Sequence, residues 1–524
     1  MFTNQKYYGY ELYNILILFG LAAFALIWFS WTRKKYLSSK PPLPPGPHGL
    51  PLVGYLPFLS SNIHHDYSAL AKVYGPIFKF WMGTKLCVVI TSPQLIGQVV
   101  REQDIVFANR NLSICSSITT YAGHDIAFAS YGPEWKNLRK IFIREMSSNT
   151  KIDIMYGVRR GEVRKSIRYL FENINTPVDI GRLAFQTTMD TVINMTIGAS
   201  LEGDDVAIDI GQFKKAVEDL VLINGKFNIS DVFPVLKWFD IQGMARESTK
   251  IFQMFEAVFD KAIAKRKNTL NDPVPKAFTR KDFLQYLMEL HEDQTSETPI
   301  TITEIKALLT DTFLAATDTT TTTVEWAMAE ILNKPVVLNK IQEELKQVVG
   351  LNNNVEDSHL SKLTYLNAVL KETLRLHPPV PFLVPRKSSQ SAIVGGYTIP
   401  KGATIFLNVW SMQRDPNVWN NSLEFLPERF CGDKIQGDID YNFSGHQNFN
   451  YLPFGSGRRI CAGISLGEKM VMHLLASFMH CFDWKLPVGT KVEFLDKFGL
   501  VLKKQTPLAA IPTPRFSDID IYLH

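Results

Sequence analysis

Apolar and polar residues alternate along this chain with two different spacings. Between about 134 and 375, apolar residues recur every three or four positions, as in Phe252–Arg266 and Ile305–Leu332, which predicts long amphipathic helices. From about 51 to 110 and from about 380 to 410, short apolar runs such as Lys85–Thr91 and Thr404–Val409 are bounded by Gly and Pro, which predicts strands. No change in composition separates two cores. We therefore predict one mainly α domain with a minor β portion, occupying residues 51–524.

The amino-terminal segment carries a long apolar run. Ile15–Trp31 is uncharged and almost wholly apolar, and with the residues just before it this run reaches the roughly 20 residues that one membrane-spanning helix requires. A cleaved signal peptide would carry its positive charges before the apolar run, whereas Arg33–Lys35 follow it. We predict a membrane anchor in residues 1–31, with a helix at about 12–31, and place the rest of the chain on the cytoplasmic side.

Residues 32–50 join this anchor to the predicted domain and are basic and rich in proline. The run Pro41–Pro47 contains five prolines. Proline fixes φ and cannot continue a helix, so such a run favours stiff, extended backbone. We interpret it as a short rigid spacer that holds the body away from the membrane.

The charge balance and the cysteines exclude several classes of protein. The chain has 56 Lys and Arg against 51 Asp and Glu, and no basic run carries interleaved aromatic residues, so we expect no nucleic-acid partner. Its five cysteines are scattered, with no C-x-x-C pair, which argues against a disulfide framework and against a structural zinc site. We therefore expect reduced thiols in the cytosol.

The richest chemical signal is the segment Phe454–Gly463, which we call the cysteine loop. Its three glycines allow the backbone to turn tightly and to approach a flat ligand. Cys461 precedes a helical apolar pattern, Ile464–Met479, whose first N–H groups and dipole stabilise a thiolate. The adjacent Arg458 and Arg459 add positive potential and can pair with carboxylates of a bound group. A thiolate held in this way is a suitable axial ligand for haem iron.

Three other interpretations of the cysteine loop are weaker. A dinucleotide fingerprint fails because Ile460 occupies the third small-residue position and no acidic residue follows at the ribose-binding distance. The G-x-S-x-G pattern around Ser465 is similar to a serine-hydrolase elbow, but Ser465 falls inside the helical pattern, whereas the elbow needs a strand running into a strained turn. A buried structural cysteine is the plain alternative for Cys461.

A second pattern lies upstream of the cysteine loop. Glu372 and Arg375 share one face of the helical run Tyr365–Leu376, which a His-Pro-Pro sequence ends. An isolated pair of this kind is usually a solvated surface pair. Arg429 follows in a Pro-Glu-Arg-Phe segment and can share Glu372, which would join the cysteine loop to the helical body.

Taken together, these patterns resemble the cytochrome P-450 superfamily of haem-thiolate monooxygenases over essentially the whole chain. The most specific match is F-x-x-G-x-R-x-C-x-G, which residues 454–463 meet. The resemblance implies haem b with Cys461 as the axial iron ligand, and a structural charge cluster formed by Glu372, Arg375 and Arg429. It also implies a set of further residues around the haem and its propionates: Phe454, Gly455, Gly463, Arg459, Trp135, Arg139 and Arg386.

The same resemblance assigns oxygen activation to residues 315–320. Ala315 and Thr319 lie one helical turn apart and can face the same ligand. The family implies that Thr319 and Asp318 help deliver protons to dioxygen, whereas the plain alternative is a buried helix whose threonines bond the preceding turn. An Asp inside an apolar helix is costly unless it is used, which favours the functional interpretation. Ala316 departs from the family, which usually has glycine there, and its methyl group narrows the oxygen groove.

Finer detail resembles plant microsomal members. This implies single-pass attachment to the endoplasmic reticulum membrane, and electrons from NADPH through a separate NADPH-cytochrome P-450 reductase. The supporting segments are 377–386, 395–400 and 499–504. They are similar to a branch that contains sesquiterpene hydroxylases such as delta-cadinene 8-hydroxylase, and that also contains flavonoid and aldoxime-metabolising enzymes.

The substrate-pocket positions that the resemblance implies are nearly all apolar, which suits a hydrocarbon-like substrate. They are Ile126, Ala127, Phe128, Phe313, Leu314, Ala315, Ala316, Val380, Phe382, Leu383 and Phe498. We interpret the polar neighbours His124 and Asp125 as surface-loop residues. The leading hypothesis is hydroxylation of a terpenoid. The alternatives are a flavonoid, another phenylpropanoid or an aldoxime as substrate, and a haem-thiolate isomerase or dehydratase that needs neither dioxygen nor a reductase.

Overall fold

The computed structural model describes residues 14–28, 30, 41–198, 209–270, 281–293, 299–431, 441–443, 445 and 448–523. Helices dominate these ranges. From residue 41 onward they are α1 (Ile63–Tyr74), α2 (Pro93–Gly97), α3 (Ile114–Thr119), α4 (Pro133–Phe142), α5 (Asn149–Ile154), α6 (Tyr156–Glu172), α7 (Ile180–Thr196), α8 (Ile210–Asn224), α9 (Ile229–Val232), α10 (Met244–Leu270), α11 (Phe283–Glu292), α12 (Ile302–Asn333), α13 (Pro335–Val348), α14 (Asp357–Leu360), α15 (Thr364–Leu376), α16 (Val409–Met412), α17 (Ile464–Cys481) and α18 (Asp520–Leu523).

The strands in the described ranges form four small sheets. They are β1 (Ile77–Met82), β2 (Lys85–Ile90), β3 (Asn109–Arg110), β4 (Val178–Asp179), β5 (Arg386–Lys387), β6 (Ala392–Val394), β7 (Tyr397–Ile399), β8 (Thr404–Leu407), β9 (Phe482–Lys485), β10 (Asp496–Lys497), β11 (Lys503–Lys504) and β12 (Ala509–Pro514). The sheet orders are β1-β2-β8-β5-β3, β4-β12-β9, β6-β7 and β10-β11. The prediction of a mainly α fold with a minor β portion is confirmed.

The five-stranded sheet joins the two strand-rich parts of the sequence. β1 and β2 pair antiparallel, with Ile77 opposite Ile90, whereas β2 and β8 pair parallel, with Cys87 opposite Thr404. β2 and β8 coincide with the two runs that the sequence predicts as strands. Side chains alternate between the two faces of a strand, so β2 supplies Val88 to one apolar core and Val89 to another on the opposite face.

The longest of these helices, α12, passes through the main helical core. It begins with a capping box: the Thr301 hydroxyl accepts from the Glu304 N–H at 3.2 Å, and the Glu304 carboxylate accepts from the Thr301 N–H at 2.7 Å. Its sides pack against α7, α15 and α17. α12 is thereby held between the helical body and the helix that follows the cysteine loop.

The proline run is hydrogen-bonded to the body of the protein. The Pro45 carbonyl accepts from the Lys79 N–H at 2.8 Å, and the Pro42 carbonyl accepts from the Thr398 N–H at 2.9 Å. Gly46 lies so close to β1 that a Cβ atom there would come within 1.8 Å of the Lys79 carbonyl oxygen. Extended backbone without internal hydrogen bonds leaves these carbonyls available, and strands of two sheets supply the donors that hold the run in place.

The predicted membrane anchor is only partly covered by the described residues. Residues 14–28 are helical and expose their apolar side chains, whereas residues 1–13, 29 and 31–40 lie outside the described part of the chain. Among the residues that are described, no helix is both long enough and apolar enough to cross a membrane.

Candidate active site

The cysteine loop is a tight turn closed by backbone hydrogen bonds. The Cys461 N–H donates to the Phe454 carbonyl at 3.0 Å, across a 3₁₀ turn at Gly457–Arg459. Gly457 has a φ of +71°, and a Cβ atom there would lie 2.3 Å from the Val100 carbonyl oxygen. Only glycine fits both this conformation and this close approach. α17 then begins directly after Gly463.

The Cys461 sulfur faces a cavity between the cysteine loop and α12. The Gly463 N–H donates to Cys461 Sγ at 3.3 Å, as expected beside a helix start. Cys461 is an exposed residue, and it is part of the lining of this cavity. Burial raises the pKa of the Cys461 thiol, and it outweighs the opposing effects of the Gly463 N–H and the Arg139 charge. The helix start alone therefore does not produce the thiolate; a cation bound at Sγ would.

The cavity has a volume of about 320 Å³. Cys461, Phe454, Gly455 and Gly463 form one wall. The facing wall comes from α12, and α7 and the segments after α3 and α15 contribute further lining. The lining is dominated by apolar side chains, which suits a flat apolar group and an apolar substrate.

The α12 wall presents Ala315, Ala316 and Thr319 to the cavity. The Thr319 hydroxyl donates to the Ala315 carbonyl at 2.7 Å, which leaves its oxygen able to accept a hydrogen bond from the cavity side. Asp318 is buried and does not line this cavity. Its Oδ2 lies 2.6 Å from Lys503 Nζ on β11. The structure thus brings Thr319 to the cavity and places Asp318 on the neighbouring side of the helix, paired with a lysine.

Four arginines, Arg110, Arg139, Arg386 and Arg459, line one side of the cavity. Arg386 pairs with Asp104 at 3.1 Å, whereas none of the other three forms an ion pair with a described carboxylate. They donate instead to backbone carbonyls, as Arg139 does to Ile460 at 2.5 Å and Arg459 to Ala108 at 2.7 Å. Arg110 Nε has no hydrogen-bond partner among the described residues.

This concentration of buried positive charge is costly. Burial lowers the pKa of all four arginines, that of Arg459 to about 10, and the charges of Arg386 and Arg459 add to the lowering at Arg110. A bound group with carboxylates at this edge and an iron atom above Cys461 would offset that cost. The residues therefore fit haem: Cys461 would hold the iron and the arginines would hold the propionates.

Trp135 supports this arginine cluster and does not line the cavity. It is buried on α4, and its Nε1–H donates to the Ile126 carbonyl at 3.0 Å. The Arg459 guanidinium lies 4.4 Å above its ring and that of Arg139 lies 5.6 Å away. A cation over an indole face is stabilised by the ring, so Trp135 holds two arginines in position.

The structure brings the three residues of the charge cluster together. Arg375 donates through Nε and Nη2 to the two carboxylate oxygens of Glu372 at 2.7 and 2.8 Å, and Arg429 Nε donates to Glu372 Oε1 at 3.2 Å. Glu372 and Arg375 are fully buried. Arg375 also donates to the backbone carbonyls of Gln413, Ser422 and Glu424. The cluster thus joins α15 to the chain that leads into the cysteine loop.

A family model for cytochrome P450 matches residues 44–510. The chain belongs to the cytochrome P450 family. Flavonoid 3'-monooxygenase of Petunia hybrida is 38% identical over 514 residues, covering 96% of this chain and 97% of the relative. 3,9-dihydroxypterocarpan 6A-monooxygenase of Glycine max is 36% identical, covering 96% and 99%. Flavonoid 3',5'-hydroxylase of Solanum melongena is 35% identical, covering 94% and 93%.

Solved structures agree on the fold. The structure of a zebra fish cytochrome P450 with progesterone superposes with a TM-score of 0.71 at 23% identity, covering 86% of this chain and 99% of that one. The protein is accordingly a cytochrome P450 monooxygenase, and its family implies haem-thiolate iron. Ser465 lies inside α17, with a 3₁₀ turn and no strand in the loop before it, so the serine-hydrolase interpretation is excluded.

Of the pocket positions that the sequence analysis predicts in this P450, six line the cavity: Ile126, Ala127, Ala315, Ala316, Val380 and Leu383. The other five, Phe128, Phe313, Leu314, Phe382 and Phe498, are not part of its lining among the described residues. Three of these phenylalanines pack against other rings, in two different parts of the protein. Phe313 packs edge-on against Phe213 at 5.0 Å in the helical core, whereas Phe382 packs with Phe498 at 5.8 Å beside the five-stranded sheet. Aromatic packing, which the sequence does not reveal, withdraws these rings from the cavity.

Asp125 is not a surface residue, contrary to the sequence analysis. It is fully buried, and its carboxylate accepts from the N–H groups of Phe128 and Ala129. It also shares a hydrogen bond with the carboxyl group of Asp311 on α12, whose Oδ2 accepts from the Ile126 N–H at 2.8 Å. His124, by contrast, is exposed and pairs with Glu134 at 2.5 Å, so the surface interpretation holds for it.

This carboxyl pair fastens the cavity-lining segment 125–129 to α12, two helical turns before Thr319. Burial and the negative charge of Asp125 raise the pKa of Asp311 well above its usual 3.8, so Asp311 is the member of the pair that more readily keeps a proton. Burial raises the pKa of Asp125 as well, although the N–H groups that it accepts from and the charge of Arg459 favour its ionised form. The pair therefore links the arginine cluster to the substrate side of the cavity. The sequence gives no signal for it beyond two isolated acidic residues in apolar surroundings.

Asp311→Asn is expected to retain the stability of the wild type at pH 7, because the amide supplies the same acceptor and donor as a protonated carboxyl. In the wild type, the raised pKa means that folded Asp311 keeps its proton at pH values above about 3.8, where the unfolded chain releases it. The contribution of Asp311 to the free energy of unfolding therefore declines as the pH rises through the folded-state pKa. The measurement is the thermal unfolding midpoint of the haem-loaded protein as a function of pH. The decline with rising pH that Asp311 causes in the wild type should be absent in Asp311→Asn.

Asp125→Asn is the matched comparison for this prediction. It removes the negative charge that faces Arg459, and we expect it to lower the free energy of unfolding by about 1–3 kcal/mol at pH 7. Greater damage from Asp311→Asn than from Asp125→Asn would show that the proton resides on Asp125 instead.

Proposed function

We propose that this P450 hydroxylates a flavonoid or a closely related phenolic compound. The observation that carries the proposal is the set of plant relatives at 35–38% identity over nearly the full chain, whose names describe oxygenation of flavonoids and of a dihydroxypterocarpan. These relatives favour the flavonoid alternative over the terpenoid hypothesis, which rested on the resemblance to sesquiterpene hydroxylases and on the apolar pocket positions. The plainly apolar pocket is compatible with both classes, since a flat phenolic ring system is held mainly by shape.

The polar groups of the cavity support a substrate that carries a few hydroxyl groups. Threonines of α7 and α12 line it, among them Thr188, Thr312 and Thr320. The Thr188 hydroxyl has no hydrogen-bond partner among the described residues, and Thr312 donates to the Leu308 carbonyl at 2.7 Å while its oxygen can still accept. Such groups can orient a phenol without the cost of an unpaired buried charge.

We propose the following roles for the residues around the cavity. Haem bound at Cys461 supplies the oxidising chemistry. Arg110, Arg139, Arg386 and Arg459 orient that group through its propionates. Thr319 stands on the opposite wall, where its hydroxyl can accept and pass on a proton, and the Asp318–Lys503 pair holds the adjoining turn of α12.

We also propose that the protein is attached to the endoplasmic reticulum by one amino-terminal helix and takes electrons from NADPH-cytochrome P-450 reductase. The apolar run Ile15–Trp31, followed by Arg33–Lys35, supports a cytoplasmic orientation of the body. No segment of this chain carries a dinucleotide or flavin fingerprint, so the electrons require a second protein.

The substrate proposal is tested by turnover of the full-length chain with its haem, reconstituted with a plant reductase in lipid nanodiscs. A flavanone, a flavone and a sesquiterpene hydrocarbon are supplied separately with NADPH under ¹⁸O₂, and products are resolved by mass spectrometry. We expect one labelled oxygen atom in a flavonoid product and none in reactions without reductase. Labelled terpenoid product without flavonoid product would overturn the proposal and restore the terpenoid hypothesis.

A further inference from the structure

Two histidines and an aspartate meet where α1 contacts the β10–β11 hairpin, away from the cysteine loop. His64 and His65 lie in the first turn of α1, and Asp496 is the first residue of β10. His64 Nε2 is 3.1 Å from Asp496 Oδ2, and His65 Nε2 is 3.3 Å from Asp496 Oδ1. Each of the three residues offers one ligand atom, and these three atoms lie within 4.8 Å of one another. No role in the P450 reaction described above uses them.

The spacing of these atoms matches the coordination sphere of a small divalent ion. Zinc binds imidazole nitrogen and carboxylate oxygen at about 2.0–2.2 Å in a tetrahedron, so neighbouring ligand atoms lie roughly 3.3–3.5 Å apart. The two observed nitrogen–oxygen separations are within about 0.3 Å of that range. The same separations suit hydrogen bonds, and a metal ion would take the place of the shared protons.

The surrounding residues hold His64 in place, whereas His65 is accessible to solvent. His64 is fully buried, its ring stacks on Phe498 at 5.6 Å, and it meets the Trp410 ring edge-on at 5.0 Å. Its Nδ1 has no hydrogen-bond partner among the described residues, so packing and the Nε2 contact hold the ring. The His65 side chain is half exposed, which gives an ion access from solvent.

The protonation states favour metal binding. Burial lowers the pKa of His64, which keeps the ring in the neutral form that coordinates metals. The pKa of Asp496 is lowered by the two histidines, against the effect of burial, so the carboxylate is ionised. Arg414 is a buried cation close enough to interact with both His64 and Asp496. Its charge opposes a second cation, so we expect weaker binding than at a four-ligand structural zinc site.

We propose that His64, His65 and Asp496 form a binding site for one divalent transition-metal ion of the zinc type, with its fourth position taken by water. The ion would fasten the β10–β11 hairpin to α1. Phe498 directly follows this hairpin strand and packs against Phe382, whose neighbour Leu383 lines the haem cavity. Metal binding would therefore stabilise the wall beside the cavity without contacting the haem.

The test is zinc binding by the haem-loaded full-length protein in detergent, in which Cys461 is occupied by iron. Equilibrium dialysis against ZnSO₄ followed by elemental analysis gives the bound zinc per chain and its dissociation constant. We expect one zinc that His65→Ala and Asp496→Asn each weaken by at least about tenfold, since loss of even an outer-shell partner costs 10–100-fold. His64→Ala is avoided because it empties a buried site.

His124→Ala is the matched control, because His124 is also a half-exposed histidine paired with a carboxylate, at 2.5 Å from Glu134. We expect it to bind zinc as the wild type does. We also expect zinc to raise the thermal unfolding midpoint of the wild type and of His124→Ala, but not of Asp496→Asn. Absence of zinc binding by the wild type, or equal binding by all four proteins, would overturn the proposal. Neither result bears on the substrate proposal.

Discussion

Glu372→Gln is expected to prevent accumulation of folded, haem-loaded protein. The carboxylate is fully buried and accepts from Arg375, Arg429 and the Leu426 N–H, so the amide removes the negative charge while leaving two arginines in place. Removing one partner of a buried ion pair costs about 3–5 kcal/mol, because the remaining charge is uncompensated. That is a large part of the roughly 5–15 kcal/mol by which a folded domain is stable.

Glu428→Gln provides the matched control for this effect. Glu428 lies beside Arg429 in the 3₁₀ segment Pro427–Phe430 and pairs with Lys340 at 2.6 Å, but both side chains are about half exposed. Exposed pairs contribute only about 0–1 kcal/mol. Thermal unfolding and haem content should therefore be close to wild type in Glu428→Gln and strongly reduced in Glu372→Gln. Equal behaviour of the two variants would show that the cluster does not hold the cysteine loop in place.

Thr319→Ala is expected to lower hydroxylated product by about 100-fold while the haem content stays unchanged. Thr319 lies on the α12 wall of the cavity, where its oxygen can accept a hydrogen bond, and a positioned proton-transfer group contributes at least about 100-fold to a reaction rate. NADPH consumption should continue, with its electrons released as hydrogen peroxide. Product, NADPH and peroxide are measured together in the reconstituted system.

Thr319→Ser tests whether the hydroxyl or the methyl group of Thr319 is responsible, because serine keeps only the hydroxyl. Serine keeps the donor and acceptor, so we expect it to retain most of the product yield and the coupling between NADPH consumption and product. A wild-type yield in Thr319→Ala, with no increase in peroxide, would show that Thr319 has no role in the reaction. The Asp318–Lys503 pair would then be the next candidate for proton delivery.

The features that the sequence predicts well are encoded locally. The glycines and cysteine of 454–463 occupy one short turn, and Glu372 and Arg375 lie one helical turn apart, so spacing alone places them. The long pattern Ile305–Leu332 likewise predicts nearly all of α12. In each case the chemistry and the backbone geometry are set by neighbouring residues.

The features that the sequence does not predict depend on contacts between distant segments. Asp125 and Asp311 are separated by 186 positions, and each taken singly is an ordinary acidic residue. Arg110 belongs to β3, and only the pairing of β3 with β5 brings it beside the cysteine loop. The packing of Phe382 and Phe498 likewise depends on how a hairpin folds against α1. Tertiary packing determines where these residues lie, and the local pattern of apolar and polar residues does not predict it.

The central claim is that Cys461 binds haem iron as a thiolate. The most direct test is the carbon monoxide difference spectrum of dithionite-reduced membranes that contain the full-length wild type, Cys461→Ala or Cys431→Ala. Cys431 is also a free, exposed cysteine and serves as the control. We expect the thiolate-type Soret band in the wild type and in Cys431→Ala and its loss in Cys461→Ala. A folded wild type without this band, or a band that survives in Cys461→Ala, would contradict the assignment.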